Sequence, residues 1–243
     1  MSLLTATEKS VNTIYVPLGM KAGLEKVVDV ARRAGIPDSV EMIASPSVSL
    51  GAASPHVIDL ANAYATFAAQ GVYAKPFIIN EVQGPNKGIL YQGRVQAQEV
   101  FRKDVMADLT YALSRVTTSG TAAVVGSRVA RPTAGKTGTS NDNASAWFNG
   151  YTPEVAASVA FYRDDATQSL NGIGGLTSVT GGSFPARIWA EFVKGYLKKA
   201  PVQEFPAPAN IGGTESINFI NSIPEMDPAL IPPSPSPSPK KKR

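Results

Sequence analysis

A chain of 243 residues that is 43% hydrophobic and 17% charged can bury a sizeable core, which excludes wholesale disorder. Cysteine is absent and His56 is the sole histidine, so a disulfide framework and a thiol nucleophile are excluded, and neither a metal centre nor another cofactor is expected. Lys240, Lys241, Lys242 and Arg243 carry the whole net charge of +4; the rest is electrically balanced, and a nucleic-acid partner is not expected.

The first periodic segment reads as a helix over 21–34, with Leu24, Val27, Val28 and Ala31 on one face and Gly35-Ile36-Pro37 as the stop. A second helix follows. Ser54 is its expected N-cap, Pro55 its first residue, and Val57, Leu60, Ala61, Tyr64, Phe67 and Ala68 its stripe. Residues 72–82 read as extended chain, broken or edged by Pro76. A third helix is expected over about 104–118, aligning Val105, Leu109, Ala112, Leu113 and Val116.

The period then changes. Residues 133–140, 144–151 and 155–163 read as strands. Asn149-Gly150 and Thr152-Pro153-Glu154 compete for the turn, and the second leaves strands of matched length. A Gly-rich loop over 172–182 precedes a last helix over 185–199, with Ile188, Phe192 and Tyr196 on one face. Helices first, then antiparallel strands, then one closing helix define an α+β fold. A folded domain over 1–200 and a disordered Pro/Ser-rich basic tail over 201–243 are expected. No apolar run reaches the ~18 residues of a membrane helix, and Met1–Thr5 lacks the features of a signal peptide.

The most informative segment is Ala134-Gly135-Lys136-Thr137-Gly138-Thr139-Ser140. It is not a phosphate-binding loop: that motif needs Gly where Ala130 stands, and the residues that follow have strand rather than helix period. On a strand edge, Lys136 beside hydroxyl side chains offers a cationic, hydrogen-bonding groove for a carboxylate, and Gly138 lets a substrate backbone lie close. Ser-x-Asn occurs three times, at Ser10-Val11-Asn12, Ser169-Leu170-Asn171 and Ser216-Ile217-Asn218. Only the first precedes Lys136.

These motifs, together with Ser49-Leu50-Gly51-Ala52, Leu60–Ala68, Gly71–Pro76, Val116–Ala122 and Ala146–Pro153, resemble the transpeptidase domain of class A penicillin-binding proteins over roughly residues 9–197. The resemblance implies a penicillin-binding protein/β-lactamase-like transpeptidase fold, incomplete here. It implies a serine D,D-transpeptidase that cross-links peptidoglycan stem peptides through an acyl-enzyme, at the extracytoplasmic face of the bacterial membrane, with β-lactams as acylating substrate mimics. It assigns Ser10 and Lys136 to catalysis, as proton relay and source of positive potential. It assigns Asn12, Thr137, Gly138 and Thr139 to substrate binding, with the Thr139 N–H in the oxyanion hole.

One element departs from the family. The nucleophilic Ser-x-x-Lys occurs only as Ser238-Pro239-Lys240-Lys241, in the basic tail. The upstream half of the domain is therefore an expected partner of this chain. A non-catalytic truncated homologue acting as scaffold and a fragment of a D,D-carboxypeptidase are the alternatives. Plainer roles also exist: Ser10 and Asn12 as turn caps, Lys136 as a solvated strand lysine, Thr137 as an ordinary strand residue. His56 reads as a surface residue, and Thr118–Thr121 as groove lining or as a simple helix stop.

Overall fold

The computed structural model describes residues 1–165 and 167–213. The Ser-Pro repeat, the basic terminus and the third Ser-x-Asn lie outside the described residues.

The chain opens with three helices: α1 (Leu3–Lys9), α2 (Asn12–Ala22) and α3 (Leu24–Ala34). The helix expected over 21–34 is thus interrupted at Gly23, whose φ of +98° is left-handed and closed to most side chains. The joint between α1 and α2 is Ser10, also left-handed at φ 56°. After a short 3₁₀ turn at Pro46–Leu50 comes α4 (Val57–Ala68). It starts two residues later than Ser54-Pro55 suggests. His56 is the N-cap, its N–H bonded to Asp59 Oδ2 at 2.9 Å, and its side chain is 81% exposed.

Residues 72–99 form two separate antiparallel strand pairs: β1 (Val72–Ala74) pairs with β4 (Ala97–Glu99), and β2 (Glu81–Gln83) with β3 (Ile89–Gln92). Next come α5 (Lys103–Thr118) and the short α6 (Ala123–Gly126). A three-stranded antiparallel sheet then runs in the order β5 (Ala134–Thr139), β6 (Ser145–Tyr151), β7 (Ala156–Tyr162), and α7 (Phe184–Tyr196) closes the fold. Thr152–Val155 makes the β6–β7 turn: Thr152 N–H bonds Val155 O at 2.9 Å, and Thr152 Oγ1 accepts two N–H groups at 3.2 Å. Asn149-Gly150 lies inside β6.

The sheet is covered on both faces. On one, Ala134 and Tyr151 pack with Leu113 of α5 and Tyr64 and Phe67 of α4, and Thr110 and Tyr151 hydroxyls bond at 2.9 Å. Burial pushes both the Tyr64 and Tyr151 hydroxyls above their ordinary range. On the other face, Phe148 meets Trp189 edge-on at 5.3 Å, with Ala186, Ala190 and Val193 around them. The face of α7 bearing Ile188, Phe192 and Tyr196 therefore turns outward, these residues being 47%, 47% and 66% exposed. Trp189 takes the inner position because its indole N–H reaches Ala157 O at 3.0 Å while Ala186 and Ala190 let the helix approach the sheet.

The described chain stays on the body past the expected limit at residue 200. Phe205 stacks edge-on with Tyr151 at 5.6 Å, and the N–H groups of Asn210 and Ile211 bond the Asp108 carboxylate at 2.8 and 3.0 Å. These donors hold Asp108 below the usual carboxylate range.

Candidate active site

β5 pairs with β6 alone, so its other edge carries no strand among the described residues. Ser140 N–H bonds Ser145 O at 3.0 Å. Backbone groups alternate direction along a strand, so the N–H and C=O of Thr137 and Thr139 face the free edge.

Lys136 reaches that edge. Its Nζ donates to Ser10 Oγ at 2.7 Å and to Thr137 O at 3.0 Å. The two side chains are 126 residues apart. Ser10 can meet the lysine because its left-handed backbone turns the chain between α1 and α2. Val11 N–H closes that turn on Ala6 O at 2.9 Å. A non-glycine residue held in this conformation stores strain that the surrounding packing must sustain.

Both oxygens bonded to the Lys136 ammonium are neutral, and no carboxylate pairs with it among the described residues. Burial without a counter-charge lowers its pKa from 10.5 to about 8. Opposite Lys136 on the same face stand Asn149 and then Ser158; Asn149 Oδ1 and Ser158 Oγ are buried without a hydrogen-bond partner.

The other motif residues spread along the edge. Thr137 Oγ1 lies 2.7 Å from Thr121 Oγ1, in the turn between α5 and α6. Thr139 Oγ1 accepts the Gly181 N–H at 3.1 Å, which leaves its own proton free. Gly138 faces Trp147, where a Cβ would meet Trp147 Cβ at 3.3 Å. Asn12 is exposed in the first turn of α2, beside Ser10. The second Ser-x-Asn lies elsewhere: Asn171 bonds Asn143 at 2.9 Å.

The structure adds groups that spacing did not single out. Glu8 O accepts the Thr121 N–H at 3.1 Å, which ties the end of α1 to the Thr121 turn. Gly181 and Gly182 lie flat against the site: a Cβ on Gly181 would fall 2.2 Å from Trp147 O, and one on Gly182 would fall 2.2 Å from Thr121 O. The adjacent glycines at the end of the Gly-rich loop were the available signal. Two further concavities, of about 350 Å³ around Ser39–His56 and about 450 Å³ beside Arg32 and Tyr73, are built from other residues.

An anion approaching this edge meets the Lys136 ammonium, the hydroxyls of Ser10, Thr121, Thr137 and Thr139, and outward N–H groups, a donor set suited to a carboxylate and to negative charge developing on a carbonyl oxygen.

Residues 1–167 match the family model of the penicillin-binding protein transpeptidase domain. Penicillin-binding protein 1A of Mycolicibacterium smegmatis is 31% identical over 97% of this chain and 32% of its own length. Penicillin-binding protein 2D of Bacillus subtilis is 29% identical over 88% of this chain and 30% of its own. The chain thus spans about a third of the curated relatives it matches. Among solved structures, the penicillin-binding protein PonA1 of Mycobacterium tuberculosis superposes with a TM-score of 0.78 at 28% identity, over 97% of this chain and 64% of that one. Its complex with penicillin V superposes at 0.76 and 29% identity, over 85% and 59%. No helix among the described residues is long and apolar enough to cross a membrane. The chain belongs to the penicillin-binding protein transpeptidase-domain family.

Proposed function

We propose that this chain supplies the Ser-x-Asn and Lys-Thr-Gly side of a serine D,D-transpeptidase that cross-links peptidoglycan stem peptides on the extracytoplasmic face of the membrane and is acylated by penicillin. The observation that carries this reading is the 2.7 Å bond between Lys136 Nζ and Ser10 Oγ at the unpaired edge of β5.

The nucleophilic serine belongs to a Ser-x-x-Lys segment outside residues 1–213, where that spacing does not occur. In the first step its oxygen attacks the carbonyl carbon of the penultimate D-alanine. The carbon–nitrogen bond to the terminal D-alanine breaks, and the serine proton passes to the departing amine. In the second step an amine of a neighbouring stem attacks the acyl carbon, the serine oxygen leaves, and the amine's proton returns to it. Ser10 relays protons between the nucleophile's base and the amines. Lys136 supplies positive potential. Asn12 bonds the acyl chain's amide, Gly138 admits the substrate backbone, and the Thr139 N–H stabilises the oxyanion. Thr137 and Thr139 receive the carboxylate.

Penicillin labelling tests the proposal. The chain alone is expected to form no covalent adduct with a fluorescent penicillin. A longer protein bearing an upstream Ser-x-x-Lys is expected to label, and Lys136→Ala to slow that labelling by a factor of about 10²–10³, the scale seen when one transition-state donor is lost. A stable adduct on the chain alone, or unchanged labelling of the Lys136→Ala protein, overturns the assignment. The absence of Ser-x-x-Lys from the described residues also favours a second reading, a non-catalytic scaffold. Failure of every longer form to label would select it.

A further inference from the structure

We infer that Thr121 is a specificity-determining residue of this site, forming with Thr137 a two-hydroxyl unit that recognises the carboxylate of a D-alanyl terminus. The inference rests on the transpeptidase reading above and extends it to a residue outside the Ser-x-Asn and Lys-Thr-Gly motifs.

Thr121 Oγ1 and Thr137 Oγ1 are 2.7 Å apart and exposed. Two hydroxyls bonded to each other share one of their two protons. The other is left for an outside acceptor, and the internal bond polarises it into a stronger donor. Neither hydroxyl makes another bond among the described residues, so the free proton has no competing acceptor in the fold. A carboxylate, which only accepts, matches this unit, whereas a primary amide replaces one of its acceptor oxygens with a donor NH₂.

Position favours the same ligand. Thr137 adjoins Lys136 on the edge strand, and the lysine's ammonium holds no carboxylate among the described residues. The backbone around Thr121 is constrained from three directions. Its N–H is held by Glu8 O at 3.1 Å, and the Ala122 N–H by Val116 O at 3.0 Å. Gly182 packs on its carbonyl so closely that a Cβ there would fall 2.2 Å from Thr121 O and 3.9 Å from Thr137 Cγ2. A hydroxyl on a backbone so constrained loses little freedom on meeting a ligand, which is the condition for selectivity.

The test measures selectivity. The isotopically labelled chain is titrated with N-acetyl-D-alanyl-D-alanine and with its C-terminal amide, and affinities are read from backbone amide shifts. The original chain is expected to prefer the carboxylate. Thr121→Val, which keeps shape and backbone N–H but not the hydroxyl, is expected to reduce that preference about three- to tenfold, the range of one hydrogen bond. Its melting temperature should stay unchanged, and Thr121→Ser should restore the preference. If Thr121→Val does not fold, Thr121→Cys withdraws the strong donor at small volume and carries the same comparison. An undiminished preference in the hydroxyl-free variant, or a Ser variant impaired as much as Val, overturns the role of Thr121 while leaving the site reading standing. If the original chain shows no preference for the carboxylate, the site reading itself fails, and this inference with it.

Discussion

Lys136 holds its charge against an unfavourable environment. It is desolvated by burial and answered by two neutral oxygens, so folding favours its uncharged form and its pKa falls to about 8. The consequence for stability has a definite sign. Below about pH 8 the lysine is charged in both folded and unfolded chains, and the folded state bears the full penalty. Between about 8 and the ordinary 10.5 the unfolded chain binds the extra proton, so stability rises with pH; above that window the penalty is gone. Lys136→Met, which keeps the apolar stem, is expected to stabilise the fold at neutral pH by on the order of 1–3 kcal/mol. It should also abolish selective carboxylate binding. Denaturant melts of both proteins at pH 7 and pH 10 check this: the gap should narrow at the higher pH. A Met variant less stable at pH 7 contradicts it. In the original chain, carboxylate affinity should itself decline as pH rises through about 8, as the ammonium is lost.

At the level of elements, the site depends on how closely α1 approaches the α5–α6 turn. Gly120 permits this approach. A Cβ there would lie 2.4 Å from Glu8 O and 2.8 Å from Val116 Cα, both backbone atoms that cannot swing aside. Arg115 and Glu8 support the same junction at 3.7 Å, but as a partly exposed pair they contribute little. Gly120→Ala is therefore expected to destabilise the fold by about 1–3 kcal/mol and push the end of α1, with Ser10, away from β5. Thermal denaturation reads the first effect. The second appears as amide-shift changes at Ser10 and Lys136, and a variant with a native melting temperature and unmoved shifts refutes it. Spacing could not reveal this dependence, because Gly120 reads equally well as a helix terminator. Strand boundaries were more legible: Thr152-Pro153-Glu154 encodes its turn locally, and the strands expected over 133–140, 144–151 and 155–163 coincide with β5, β6 and β7 to within a residue or two.

Across the whole described molecule, a buried ion pair joins the far end of the sheet to α7 and the chain that follows it. Arg131 bonds Glu154 at 2.7 Å, Leu197 O at 2.9 Å and Ala200 O at 3.1 Å, and both charged side chains are about nine-tenths buried. Glu154 Oε1 also accepts the Gln203 N–H at 3.2 Å. Removing the cation strands a buried carboxylate and several carbonyls, so Arg131→Met is expected to destabilise by about 3–5 kcal/mol. It should also free residues 201–213, which hydrogen exchange and denaturant midpoints would both report. A loss below about 1 kcal/mol would mean water reaches this pair. The basic and acidic partners are 23 residues apart in a sequence whose body has balanced charge, so no charge pattern announces them.

The amino-acid sequence alone determined the α+β order, the limits of β5 to β7 within a residue or two, the span of α5, and the motifs that place the chain in its family. Those features follow from turn chemistry and hydrophobic period, which act over a few neighbouring residues. Tertiary structure decided that Ser10 meets Lys136, that the lysine is desolvated without a counter-charge, that Thr121 joins Thr137, and that α7 buries Trp189 rather than Phe192. These depend on which faces close on one another across long stretches of chain, and on the low-dielectric surroundings that such closure creates.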